Sequence, residues 1–398
     1  MKKMIPSLAL TFSIVFLLWP DAAAALARPA LQTVDCMTEA IVQADDWLSK
    51  LADKYYGDIA AFPAIVEATN QKHGEDTSFA YIANPHLVEP GWKLCIASPE
   101  NVPTLLAGQT PAGAPKKTEF PLTLMDGLGR EVTIAASPQR IVSLLPSNTE
   151  ILFALGLGER VVGVTQYDTF PPEAQAKTII GGMTVETISL ETILALEPDL
   201  VLAHDEHQQP VIEALAGNGL TVFAVNSTGL ADVYRTIDWI GQICDVQSRS
   251  DVLNLQIQQE IAALRAKIEP IPIRDRPTVF YEVWSEPLLT AGPNTFIGQL
   301  ITLAGGRNIF ADIEQDFPEI SPEEVIARNP AVILSSEYNG ENLTPSALAV
   351  RPGWSEIDAV KNGQIHLLSN DLISRPSSRV VLGLREIIKA LYPDLPVE

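Results

Sequence analysis

Basic residues are scarce in this chain: 27 Lys and Arg stand against 49 Asp and Glu, a formal charge of -22 over 398 residues. Binding to DNA, RNA or an anionic membrane is carried by cationic side chains on phosphates, so no nucleic-acid partner is expected. A small anion held by one or two local arginines is not barred. Histidine is scarce too: of five, only His204 and His207 lie close together, while His73, His86 and His366 are scattered, which is too few for a bare-metal cage. There is no Gly-rich phosphate loop, no Gly-x-Ser-x-Gly elbow, no Cys-x-x-Cys and no His-Glu-x-x-His. These absences shift the weight from catalysis to binding; no cofactor and no enzymatic activity are expected. With 46% apolar and 19% charged residues the chain is not disordered throughout, and its length calls for two or three compact units.

Only one long apolar run is present, Met4 to Trp19, behind Lys2 and Lys3 and ahead of the small residues Ala22 to Ala27. It is shorter than the roughly 20 residues a membrane span prefers and reads as an export signal over residues 1–27, cleaved after Ala25 or Ala27, with an uncleaved anchor as the alternative. A lipid anchor would need a cysteine directly after the small residues; Cys36 comes later, so none is expected, and the protein is placed outside the cytoplasm, in the periplasm or cell envelope. Cysteine is rare for an exported chain: Cys36 and Cys95 bracket a small unit and are paired here, whereas Cys244 sits in an apolar-patterned stretch and reads as a buried thiol.

Residues 34–98 read as strand, helix, helix, strand. Leu48, Leu51 and Ala52 share one helical face, Gly57 stops that helix, and a second is expected over 61–69. Residues 99–118, rich in Pro, Ala, Gly and Thr, read as a linker with nothing to build a core. The words Ile41 to Leu48, Ala52 to Asp58, Ile65 to Ala68, Asn84-Pro85 and Glu89 to Leu94 resemble the lysin motif (LysM), a small α+β module that binds N-acetylglucosamine glycans such as peptidoglycan. The resemblance implies peptidoglycan as a partner, or a spacer of the same shape without glycan affinity. It departs from the pattern at Asp45-Asp46-Trp47 and by an insert between Gln71 and Ile82.

From residue 119 strand and helix patterns alternate, which implies α/β architecture with mostly parallel sheets. A strand over 140–145 leads into a helix over 149–155 capped by Ser147 or Asn148, and Val161 to Thr165 is the next strand. Ser189 to Ala203 aligns without gaps to Ser321 to Ser335, each copy reading as capping Ser, short helix, Pro and apolar strand. Two lobes follow, 119–247 and 270–398, joined by a long helix over 248–269 whose apolar face is Val252, Leu255, Ile257, Ile261 and Leu264. A helical joint permits little hinge motion. In such a fold the ligand sits in the cleft between lobes, against the loops that follow the strands: Pro146-Ser147-Asn148, Tyr167 to Pro172, Gly181 to Met183, His204 to Gln208, Trp284 to Glu286, Phe317-Pro318 and Glu337-Tyr338.

The stretches Asp126 to Val132, Pro138 to Leu144, Thr149 to Leu152, Tyr167, Pro171 to Ala174, the two repeats, Leu303 to Asn308 and Ser374-Arg375-Pro376 resemble the helical-backbone (class III) periplasmic binding proteins of cobalamin, haem and ferric-siderophore importers. The resemblance implies a substrate-binding subunit that delivers a metal chelate to an ABC permease dimer. Ligand contacts are then expected from Ser147, Asn148, Tyr167, Met183, His204, Trp284, Phe317, Tyr338 and Arg375, and permease docking from Glu191 and Glu323. Cobalamin is favoured from Thr149 to Leu152, Tyr167 to Ala174 and Trp284 to Gly292; Met183, His204, Phe317 and Leu372, where corrinoid binders place tryptophans, keep haem and siderophores open. His204 stays open between axial metal ligand and solvated loop residue, and Arg375 and Arg379 between holding an anionic ligand edge and surface pairing.

Overall fold

The computed structural model describes residues 34–43, 48–57, 61–82, 88, 91–107, 117–204, 206–226, 228–337 and 344–397. The export segment, Asp45-Asp46-Trp47, Asn84-Pro85, residues 108–116 of the Pro/Ala-rich stretch and Tyr338 lie outside them. The first unit consists of β1 (Cys36–Ile41), α1 (Leu48–Tyr56), α2 (Phe62–Glu75) and β2 (Lys93–Ala97), with the two strands antiparallel. Leu48, Leu51 and Ala52 are buried against Ile65, Leu94 and Ile96, as their spacing requires. Cys36 and Cys95 are disulfide-bonded across the two strands.

Two expectations for this unit are corrected. α2 does not stop near Thr69 but runs to Glu75, and the segment read as an insert is fastened beneath it. Asn70 bonds the Ile82 backbone in both directions (2.7 and 2.9 Å), a His73 ring nitrogen lies 2.7 Å from the Phe79 carbonyl, and the Ala80 N–H reaches Lys93 O. The linker does carry structure at its start. Pro103 suits the first turn of α3 (Val102–Ala107), and Leu105, three residues on from Val102, is buried with Val34, Ala64, Ala68 and Phe79.

The hairpin β3 (Leu122–Met125) and β4 (Glu131–Ile134) opens the next unit. It is followed by β5 (Ile141–Ser143), α4 (Pro146–Ala154), β6 (Val161–Val164), β7 (Thr178–Ile179), α5 (Leu190–Ala195), β8 (Leu200–His204), α6 (Gln209–Gly217), β9 (Val222–Val225) and α7 (Leu230–Ile243). Its parallel sheet runs β7-β6-β5-β8-β9. α8 (Gln247–Ile268) crosses to the second lobe. There β10 (Thr278–Ser285), β11 (Leu288–Thr290), α9 (Phe296–Leu303), β12 (Arg307–Asn308), α10 (Pro322–Arg328) and β13 (Val332–Ser336) are followed by α11 (Pro345–Ala349), α12 (Asp358–Lys361), β14 (Ile365–Leu368), α13 (Asn370–Ile373) and α14 (Val380–Leu391). β10, β13 and β14 are parallel neighbours, and β11 closes the edge antiparallel.

The repeat is structural. Ser189 Oγ accepts the Thr192 N–H and Ser321 Oγ the Glu324 N–H, both at 3.2 Å, so each serine caps its short helix. Glu197 and Asn329, one before each proline, both adopt the left-handed conformation, and the strands that follow, β8 and β13, pair in parallel with β5 and β10, the first strand of each lobe's parallel sheet.

The expected cap at Ser147 or Asn148 is corrected: Pro146, preorganised for a first turn, starts α4 earlier, Leu145 is the N-cap two or three residues before the expected one, and both polar residues lie inside the first turn. In α8 the buried face is Ser250, Asn254, Ile257, Gln258, Ile261, Leu264 and Ile268, while Val252 is 54% exposed. A single apolar cluster runs from Ile141, Leu202 and Phe223 through Ile257, Ile261 and Leu264 to Val279, Leu334, Leu384 and Ile388, so the lobes share a core across α8. Bending that helix would open the core. Cys244 is buried in it, and burial pushes its thiol up to about 12, which leaves it unreactive.

Candidate functional site

The carboxyl ends of the parallel strands place the candidate residues. Ser147 and Asn148 open α4 just after β5, Tyr167 follows β6, His204 ends β8, and Trp284 is the last residue but one of β10. A ligand crevice in an open α/β sheet lies outside such ends, at the point where strand order reverses, here between β5 and β8. Tyr167, Trp284 and Phe317 are 45%, 46% and 54% exposed, although large aromatic side chains gain most from burial. Each is fixed from behind. The Tyr167 N–H donates to Thr165 Oγ1, the Trp284 indole N–H donates to Glu286 O at 2.9 Å, and the Phe317 loop is stitched to β11 through Thr290 N–H to Pro318 O and Gly292 N–H to Asp316 O. Such surfaces suit a large, flat, partly apolar ligand.

Ser147 and Asn148 differ from this picture. They are 2% and 1% exposed, and Ser147 Oγ and both side-chain polar atoms of Asn148 have no hydrogen-bond partner. Met183 and His204 are half-buried and are joined by a residue that the sequence reading included only as the end of the His204 to Gln208 loop. Gln208, 2% exposed, accepts the His204 N–H at 2.8 Å and donates to Met183 O at 2.9 Å and Leu144 O at 3.1 Å. One amide thus binds three loops of the wall. Gln208→Ala would leave three buried backbone groups unpaired, at a cost of about 1–3 kcal/mol; the expected result is a lower melting temperature together with faster amide exchange at Met183 and His204. The signal for it was only its place just after a strand end.

Arg375 does not stand free for a ligand. Its guanidinium donates to Tyr167 O at 3.0 Å, Thr169 Oγ1 at 3.2 Å and Glu150 Oε1 at 3.4 Å, and pairs with Asp371 at 2.6 Å. Arg379 is likewise engaged, forking onto Glu150 with its Nε at 2.9 Å from Oε2 and lying over the Phe170 ring. Beneath Tyr167, Asp168 is 3% exposed, and burial pushes its carboxyl above the usual range against hydrogen bonds from Thr149 and Thr165 and the nearby Arg375 charge. A groove of about 720 Å³ flanks the arginines, lined by residues that include Glu150, Phe153, Phe170 and Lys177; none of Tyr167, Met183, His204, Trp284 or Phe317 lines it. The exposed aromatics rather than that groove mark the candidate site.

Glu191 and Glu323 stand in the first turns of α5 and α10, both exposed and without a side-chain partner among the described residues. Glu324, by contrast, is used in the capping box with Ser321.

Comparison with known proteins bears on all of this. The profile described as Periplasmic binding protein matches residues 141–372. The uncharacterised ABC transporter substrate-binding lipoprotein YvrC of Bacillus subtilis is 34% identical over 294 residues, covering 72% of this chain and 91% of its own. A cobalamin-binding protein of Halobacterium salinarum is 29% identical over 298 residues, 72% of this chain and 79% of its own. Among solved structures, the periplasmic heme-binding protein RhuT from Roseiflexus sp. RS-1 superposes with a TM-score of 0.58 at 30% identity, over 65% of this chain and 99% of that one. Two parallel-sheet lobes on a shared helix, a repeat that places one free glutamate on each, and these matches lead to one assignment: the chain belongs to the periplasmic binding protein family.

Proposed function

We propose that this protein is the extracytoplasmic substrate-binding subunit of an ABC importer, that it binds without turning over its ligand, and that its cargo is a metal chelate, cobalamin first. The observation that carries the reading is the set of exposed, backbone-anchored aromatics Tyr167, Trp284 and Phe317 at or just beyond the strand ends, on a fold whose relatives include binders of cobalamin and heme. Apolar faces of this kind take up a planar macrocycle. Haem or a ferric siderophore is the alternative within the same site. Titration of the purified protein with cyanocobalamin, haem and ferric siderophores, followed by tryptophan fluorescence, is expected to give one-to-one saturation with one of the three classes and no product. If all three leave fluorescence and melting temperature unchanged, the cargo assignment is wrong.

The module of residues 34–107 is a second, separable binding candidate, for peptidoglycan, supported by its own core and disulfide. Pull-down with insoluble peptidoglycan tests it; a module that stays in the supernatant is a spacer.

A further inference from the structure

We infer that Glu150 is a positioning residue: its buried carboxylate, held by Ser377 and Arg379 of the other lobe, fixes the separation of the lobes and so the width of the cleft. Glu150 lies on α4 of the first lobe, and its side chain is 0% exposed. Among the described residues its side-chain partners all come from the segment between α13 and α14 of the second lobe: the Ser377 hydroxyl, two N–H groups of Arg379, and Arg375 at 3.4 Å. The contact is tied directly to the candidate ligand wall, because Arg375 also holds the Tyr167 carbonyl and Thr169, and Thr169 donates to Asp371 at 2.7 Å. One side of the cleft is thereby braced by a cluster centred on one buried acid shared by two arginines, with Asp371 and Thr169 at its edge.

Two further connections join the lobes, α8 itself and the Leu230 N–H donated to Gln299 at 3.0 Å, where a side chain on Gly229 would strike Gln299. Neither touches the aromatic residues. Lobe spacing reaches Tyr167 through the second-lobe segment that Glu150 holds in place: Arg375 bonds Tyr167 O directly, and Asp371 meets Thr169. A buried ion pair of this kind gains little net stability, but loss of one partner leaves an uncompensated charge, so its geometry is strongly preferred over partly open ones. The role goes beyond cargo identity: it concerns how the cleft is held, whichever chelate fills it.

The test uses the full chain with nitroxide labels on Ala216→Cys and Ser355→Cys, exposed positions in the first and second lobes; Cys36 and Cys95 are bonded to each other and Cys244 is buried. Pulsed dipolar spectroscopy of the unliganded protein is expected to give one narrow distance distribution. Glu150→Gln, of the same shape but without the charge, is expected to at least double its width while cooperative melting is retained, and Arg379→Lys, which keeps the charge and loses the fork, is expected to give an intermediate width. In a chelate-binding preparation the same variants should release ligand about tenfold faster with little change in association rate. A folded Glu150→Gln protein with the original narrow distribution overturns the inference, and Arg379→Lys decides in the same way if Glu150→Gln does not fold. A purely structural role would lower the melting temperature and leave the distribution unchanged. If the parent protein binds no chelate, the cargo reading fails while the distance measurement still decides this one.

Discussion

Reversing Glu191 and Glu323 to lysine together is expected to abolish uptake in a reconstituted importer while leaving chelate affinity nearly intact. Both carboxylates stand in the first turn of a short helix, exposed and without a side-chain partner among the described residues, at equivalent places in the two lobes. Two like charges at matched positions suit a permease dimer that presents the same cationic patch twice. A charge-assisted pair contributes about 1.5–3 kcal/mol, and lysine facing a cation adds repulsion, so the double reversal should exceed either single change. The free protein should hardly register the substitutions, since an acid near a helix N-terminus is worth about 0.3–1 kcal/mol and both residues are exposed. Uptake by proteoliposomes and equilibrium binding of the chelate, measured on the same preparations, separate the two effects. Normal transport by the double variant, or loss of chelate binding in a folded one, removes these residues from docking. Glu324→Lys is the internal control: it breaks a capping box and should lower stability with little effect on uptake.

What was legible in the sequence was whatever depends on local chemistry. The two capping serines, the prolines after the short helices and the apolar strands that follow carry period and punctuation that a single chain displays, and both serines bond as their positions require. The helix over 248–269 was legible as an element, yet its buried face was misjudged at Val252 because Asn254 and Gln258, polar residues, face inward beneath α7. Polar burial is set by partners distant in sequence. The same reason hid Gln208, whose three contacts span residues 144, 183 and 204, and turned Arg375 from a free anion holder into part of a brace reaching Glu150, 225 residues away. Ser147 was misplaced by one turn register, since Pro146 outcompetes a side-chain cap for the helix start. Exposure of Tyr167, Trp284 and Phe317 is a tertiary property as well. Sequence indicated only that they fall at strand ends.

Replacing Cys36 and Cys95 together by alanine is expected to unfold the N-terminal module and leave the two lobes folded. A cross-link closing 59 residues removes unfolded-state freedom worth about 4 kcal/mol in the chain-entropy account. A unit of this size has total stability on the order of 5 kcal/mol, so the loss consumes most of it. Alanine rather than serine is the right replacement, because Cys95 is fully buried and a hydroxyl there would add an unpaired polar group to the entropic loss. What remains is the Thr69 hydroxyl bonded to the Cys95 backbone, the Asn70 clasp on Ile82 and the apolar contacts of Leu105, each of net worth about 1 kcal/mol or a little more. None of them restrains β1 against β2 in the open chain as the disulfide does. The lobes have their own contiguous core and share no disulfide with the module, which touches them where α1 meets α8, so their transition should move little. Calorimetry of the full chain should therefore lose a separate low-temperature transition, and amide exchange should rise through the module, strands 36–41 and 93–97 included, while the lobes keep their protection. Unchanged protection of those two strands in the double alanine variant would mean that the polar clasp and the α3 packing hold the module by themselves.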